Sequence, residues 1–346
     1  MAKSGRPTIK DVAELAGVSK TAVSFAFNSP ERISTETYQR IMDVANRLEY
    51  SPDPVARILA KRKTQSLGLL FPQSIPDVFQ NPYITEILRG FGQVCDAEGY
   101  SIQVLSPEEG IISRTIQNAA VDGMAILGVT STSDIHMACS QRDMYYVTID
   151  AAFADEYVNV GIDETAASRQ MMELLLKKGH RKICICELPG VSRSLESEGT
   201  STTMNARRKG IQLAVESICK DNDAEITFVS SDTSYNSAYK IAKEVLTASN
   251  KPTAVFCMSD IQTYGFYSVA QDLGLTIPQD FSIATFDNIP HAEILKPKPT
   301  TVNQPGFEKG RLAAEVLLEM LKGKRKQSVF LSVNVIETES VADIRK

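Results

Sequence analysis

The chain's 346 residues, 43% hydrophobic and 23% charged, are ordinary for a soluble protein of two or three domains, and no apolar run reaches membrane length. The N-terminal MAKSGRPT lacks the apolar core of an export signal, so a cytoplasmic protein with no membrane partner is expected. The net charge of −5 hides an uneven split: residues 1–64 hold 11 Lys and Arg against 7 Asp and Glu, the remainder 26 against 35, which fits a basic N-terminal module that alone meets phosphate.

The stretch from Thr8 to Asn28, TIKDVAELAGVSKTAVSFAFN, predicts two short helices around a tight turn. Thr8 is placed to cap the first, with Asp11 at the third helical position, and Val12, Leu15 and Ala16 supply an inward stripe. Gly17 turns the chain, Ser19 caps the second helix, and Val23, Ala26 and Phe27 form its buried side. Lys20, Thr21, Ser24 and Phe25 are left outward. A helix-turn-helix offers the N-terminal end of its second helix to the major groove, where such side chains reach base edges. Two capped helices alone also fit an ordinary bundle, and the segments that follow decide between the two.

Ile33 and Ser34 supply an apolar staple and a cap, and Tyr38, Ile41, Ala45 and Leu48 predict a third helix that closes a small core. In YSPDPVARILAKRKTQS, Asp53 is a cap, Pro54 suits the first helical position, and residues 55–60 make about a turn and a half of helix before Lys61, Arg62 and Lys63. So short a helix is marginal alone and is expected to order only against a partner surface. TIKDVAELAGVS, AVSFAFN and ISTETYQRIMDVANRLEYSPDPVARILA together resemble the DNA-binding headpiece and hinge of the LacI/GalR family of bacterial transcription regulators. The resemblance implies that the hinge helices of two subunits pair in the minor groove of double-stranded operator DNA, with Leu59 wedged between base pairs. The implied DNA-contacting set is Thr8, Ser19, Lys20, Thr21, Ser24, Phe25, Asn28, Arg57 and Leu59. The pattern departs at Phe25, where many members carry an arginine able to read guanine. Phe25 offers only packing or contact with a thymine methyl, so the base preference does not carry over from those relatives.

From Gln65 onward the chain alternates strand and helix. SLGLLF (66–71), SIQVL (101–105), GMAIL (123–127) and YYVTI (145–149) are apolar runs separated by predicted helices over 83–98, 111–120 and 134–141. A second unit follows, with helices over 165–178, 204–219, 235–248 and 261–273, and strands RKICIC (181–186), ITFV (226–229), TAVFC (253–257) and FSIATF (281–286). Near-continuous apolar strands between amphipathic helices predict parallel sheets covered on both faces. Gly90-Phe91-Gly92 lies inside a helical pattern and carries little weight as a phosphate-binding turn. Cys184 and Cys186 alternate with isoleucines in a buried strand and act as small hydrophobes. With three histidines in all and none at ligand spacing, no metal site and no cofactor are expected.

NPYITEILRGF, NARRKG, SDIQTYGFYSVAQDLGLTIPQDFSIATFDN and KPTTVNQP resemble successive signatures of the same family's effector domain, which is similar to periplasmic sugar-binding proteins. The resemblance implies that the last long helix, 306–321, returns to the first lobe, and that the ligand lies between lobes at the carboxyl ends of the strands. Asp287, directly after FSIATF, and Arg207, three residues before Gly210, match the family's ligand-facing carboxylate and arginine. Tyr83, Ile84 and Asp163 are weaker candidates, for which packing or helix capping is the simpler role. Two departures bear on this part: Ser259 stands where asparagine is usual, and Thr338 and Glu339 where basic residues are common.

The resulting reading is an all-α helix-turn-helix headpiece (1–52), a hinge helix and linker (53–64), and a two-lobed, periplasmic-binding-protein-like α/β body of parallel sheets (65–346). Lobe one is expected over about 65–162 and 300–325, and lobe two over about 163–299 and 326–346. The implied function is a sequence-specific transcriptional regulator, a repressor by expectation, bound to a near-palindromic operator as a homodimer. A small effector would control it, a sugar or sugar derivative by resemblance, with nucleosides, nucleobases or a protein co-regulator as alternatives. No leucine heptads follow the last signature, so a dimer without a tetramerising coiled coil is expected. Two other classes compete. A solute-binding protein needs an export signal and has no use for residues 8–61. A sugar-metabolising enzyme finds no G-x-S-x-G, P-loop, HExxH or full dinucleotide fingerprint, and His136, His180 and His291 lack evident partners in sequence.

Overall fold

A computed structural model describes residues 6–53, 58, 63–107, 110–129, 133–151, 156–189, 201–219 and 223–345. They divide into two compact units, Met1–Thr64 and Gln65–Lys346. In the first, α1 (Ile9–Ala16) begins where the Thr8 N–H donates to Asp11 Oδ2 at 2.8 Å, and ends at Gly17, which takes a left-handed φ of 65°. Ser19 Oγ accepts from the Ala22 N–H and starts α2 (Lys20–Asn28); after a 3-10 turn, Pro30–Arg32, Ser34 Oγ accepts from the Thr37 N–H and starts α3 (Thr35–Arg47). Val12, Ala13, Ala16, Val23, Ala26, Ile41, Val44 and Ala45 form the core, with Phe27 edge-on to Tyr50 at its rim.

Leu15, expected in that core, is 56% exposed, and Ala13 is buried in its stead. At 3.6 residues per turn, Ile9, Val12, Ala13 and Ala16 share one stripe, and Leu15 lies about 110° from its centre. Most of the expected hinge over 53–64, including Arg57 and Leu59, lies outside the described residues.

The second unit contains two six-stranded sheets. The chain runs through β1 (Ser66–Leu70), α4 (Ile75–Gln80), α5 (Pro82–Glu98), β2 (Ser101–Leu105), α6 (Ile112–Asn118), β3 (Gly123–Leu127), α7 (Ser133–Gln141), β4 (Tyr145–Ile149) and β5 (Asn159–Ile162). It then crosses to α8 (Glu164–Lys177), β6 (Lys182–Glu187), α9 (Thr202–Ile218), β7 (Glu225–Ser230), α10 (Tyr235–Thr247), β8 (Ala254–Cys257), α11 (Asp260–Leu273), β9 (Ser282–Asp287) and β10 (Thr300–Asn303). It returns as α12 (Gly306–Leu321) and β11 (Val329–Leu331), and crosses a last time to β12 (Asn334–Ile336). The first sheet has the order β11-β5-β4-β3-β1-β2, the second β12-β10-β9-β8-β6-β7. All pairings are parallel except β12 against β10.

Buried apolar clusters lie on both faces of each sheet, the reason β1 and β3 tolerate no polar alternation. The lobe boundaries drawn from sequence move at two strands. Thr300–Asn303 hydrogen-bonds to β9 and belongs to lobe two, while Val329–Leu331 pairs with β5 and belongs to lobe one. The partner of β11 lies far away in sequence, and β10, though it pairs with the strand just before it, is too short a run to say so by local pattern. Where α12 meets α5 the backbones touch: a Cβ on Gly90 would lie 1.8 Å from Phe307 O, and one on Gly310 2.0 Å from Ile87 O. Gly90 is thus a helix-crossing residue.

Candidate DNA-reading helix and ligand cleft

Along α2, Lys20 and Thr21 are exposed and Ser24, Phe25 and Asn28 half-buried, on the side opposite Val23 and Ala26. Thr8 and Ser19 spend their side chains on helix starts, and the Asn28 amide donates to Ser24 O at 3.0 Å. Lys20, Thr21, Ser24 and Phe25 are therefore the outward groups of this helix, at its N-terminal half, where unpaired N–H groups add partial positive charge. The Arg32 guanidinium lies 5.4 Å from the centre of the Phe25 ring, a neighbour that sequence spacing did not bring out.

In the second unit a cavity of about 950 Å³ opens at the carboxyl ends of the strands. Gly128 after β3, Asp150 after β4, Leu188 after β6, Met258 after β8 and Asp287 at the end of β9 all line it. Residues of both lobes contribute, as expected for open α/β sheets whose strands end at a common crevice. Of the five candidates, Asp287, Arg207, Tyr83 and Ile84 line the cavity. Asp163 does not: its Oδ1 accepts from the Ala166 N–H at 2.9 Å and caps α8. The neighbouring Glu164 is the acid that reaches Arg207, accepting from its Nε at 2.8 Å.

Arg207 is buried and fixed on three sides, by Glu164, by Met258 O at 2.8 Å from Nη1, and by the Phe286 ring, whose centre is 3.6 Å from its guanidinium carbon. This placement depends on close approach of α9 to α8, where a Cβ on Gly210 would come within 2.2 Å of Ser168 Oγ and Thr165 O. Asp287 has a φ of 113°, a region that favours glycine, and such strain is held by its surroundings. Oδ2 accepts from Ser259 Oγ and Oδ1 from Gln304 Nε2, each at 2.8 Å. Burial pushes this carboxyl up to about 6, against the pull of Arg207, Ser259 and Gln304 toward ionisation. Ser259, in place of the usual asparagine, is thus a direct partner of the Asp287 carboxylate.

The network continues through residues that sequence reading passed over. Lys309 on α12 is fully buried, and its ammonium donates to Asp150 Oδ1, Gln304 Oε1 and, at 2.9 Å, Tyr83 Oη. Tyr83 Oη donates in turn to Asp150 Oδ2 at 2.6 Å, and burial, then Asp150, pushes the phenol well above its ordinary range. A polar chain of Ser259, Asp287, Gln304, Lys309, Asp150 and Tyr83 therefore runs from lobe two into lobe one. The signal was available: Asp150 directly follows strand YYVTI as Asp287 ends FSIATF, and Lys309 shares the inward face of α12 with Gly306, Gly310 and Ala313.

Residues 8–53 match the family model described as bacterial regulatory proteins, lacI family, and residues 172–341 match a periplasmic binding protein-like domain. An HTH-type transcriptional repressor, PurR, of Pectobacterium atrosepticum is 31% identical over 97% of this chain and 97% of that protein. This chain belongs to the lacI family. As a lacI-family member it is a DNA-binding transcription regulator and not an enzyme. The lac repressor dimer solved with operator and the anti-inducer ONPF shares its fold, with a TM-score of 0.81 at 20% identity over 98% of this chain and 100% of that one. So does a lacI-family regulator from Enterococcus faecium solved with ribose, with a TM-score of 0.68 at 24% identity over 81% of this chain and 100% of that one. His180, one of the histidines weighed for catalysis, is a buried turn residue, with Thr253 Oγ1 at Nδ1 and Ala342 O at Nε2. No described helix is long and apolar enough to cross a membrane.

Proposed function

We propose that this lacI-family chain is a homodimeric repressor whose outward α2 side chains, Lys20, Thr21, Ser24 and Phe25, read two half-sites of a near-palindromic operator. In this reading a neutral polyhydroxylated effector, a sugar or close derivative, occupies the cleft and sets the affinity. The observation that carries the effector assignment is the cleft lining. Short hydroxyl side chains, among them Ser201, Thr203, Ser230, Thr233 and Ser237, surround a buried carboxylate and a buried guanidinium, groups that together accept from and donate to ligand hydroxyls. The ribose and operator in the two solved relatives are consistent with the same roles.

Phosphate contacts fix register while base contacts select sequence, and two-fold symmetry of the protein matches paired half-sites. A ligand that prefers one closure of the lobes shifts the population of lobe geometries and thereby the DNA affinity. The test has two arms on the full-length chain. Selection from a random duplex library should enrich an inverted repeat, and free monosaccharides and disaccharides should be screened for a rise in melting temperature. Enrichment of no sequence over bulk competitor would overturn the operator assignment, and a rise only with anionic metabolites would overturn the sugar assignment.

A further inference from the structure

Phe25 offers no hydrogen bond to a base, yet it sits on the outward face of α2 one turn after Thr21. The chain leaves α2 at Ser29 and folds back through the 3-10 turn Pro30–Arg32, closed by Arg32 N–H to Ser29 O at 3.0 Å. The turn lays the Arg32 guanidinium over the Phe25 ring, 5.4 Å from its centre. Arg32 is exposed, and among the described residues no carboxylate pairs with it. Its planar fork therefore keeps its donors free while the ring holds one of its faces, so less side-chain freedom is lost when the fork docks.

We propose that Arg32, seated on Phe25, is a specificity-determining residue that reads one guanine in each half-site. The guanidinium donates to guanine O6 and N7, the two acceptors a planar fork spans in the major groove, and Phe25 serves as its platform. This rests on the reading of α2 as the groove helix. It makes the apolar residue and the cation one reading unit assembled from two elements.

Selection from a random duplex library with the full-length chain, compared with Arg32→Ala, Arg32→Lys and Phe25→Ala, tests it, with melting temperatures confirming that each variant folds. Wild type should require guanine at one position per half-site. Arg32→Ala should lose that preference by about 5- to 150-fold, the range for one bidentate contact, and leave the other positions unchanged. Arg32→Lys should fail to restore it, since an ammonium lacks the fork, and Phe25→Ala should weaken it at the same position. The proposal is overturned if Arg32→Ala selects the same site as wild type. It is equally overturned if Arg32→Ala weakens every duplex alike, with a shallower salt dependence that lysine rescues, because that is a phosphate contact. If wild type itself selects nothing, the operator assignment above fails first, so the two failures are distinguishable.

Discussion

Asp287 shows how much one buried carboxylate sets. Burial raises its pKa in the folded chain from the ordinary 3.8 to about 6, so between those values the folded chain binds more protons at this site than the unfolded chain. Stability from this group therefore falls as pH rises from about 4 to about 6, on the order of 3 kcal/mol across the window, with the penalty fully present above it. Asp287→Asn should flatten that slope, read as the denaturation midpoint of the full chain at pH 4, 5, 6 and 7. An unchanged slope would mean that the neighbouring buried Asp260, whose carboxyl burial and Asp287 push well above its usual range, carries the proton instead. Sequence made Asp287 visible because the acid ends a strand at the crevice. Glu164 stayed hidden because the preceding Asp163 has the residue type and position of a helix cap, and the structure uses it as one.

At the scale of elements, the pair α8 and α9 is held close by the absence of a side chain. Gly210→Ala would place a methyl 2.2 Å from Ser168 Oγ and Thr165 O, so the helices must separate. A loss of about 1–3 kcal/mol is expected, as for overpacked cores. Because Arg207 rides on α9 against Phe286, the same shift should weaken any ligand-induced rise in melting temperature by more than the stability loss explains. A cost below about 0.5 kcal/mol in urea denaturation would show that the helices accommodate the methyl. Most helices and strands were legible from periodicity and caps. Leu15 was misplaced because leucine outweighs alanine on any hydrophobic scale, whereas close packing of three short helices favours the smaller Ala13. The strands β10 and β11 were not assignable to a lobe, since pairing partner is a property of topology and not of local pattern.

Across the whole molecule, the polar chain centred on Lys309 ties one lobe to the other. Lys309→Met leaves Asp150 buried with its cation gone, which should cost about 3–5 kcal/mol, as for other broken buried pairs. The double variant Lys309→Met with Asp150→Asn should recover a large part of that loss, and a strictly additive pair in urea denaturation would show that the two do not interact. The return of α12 to the first lobe has a further consequence for how the protein is made. Leu317 and Ala313 complete the same core as Leu67 and Phe91, although the ribosome delivers them after most of the second lobe. At roughly 5–20 residues per second, the half-built first lobe waits on the order of 10–30 s with one face of its sheet only partly covered. The nascent chain, more than the finished regulator, is then the species that aggregation and chaperones compete for.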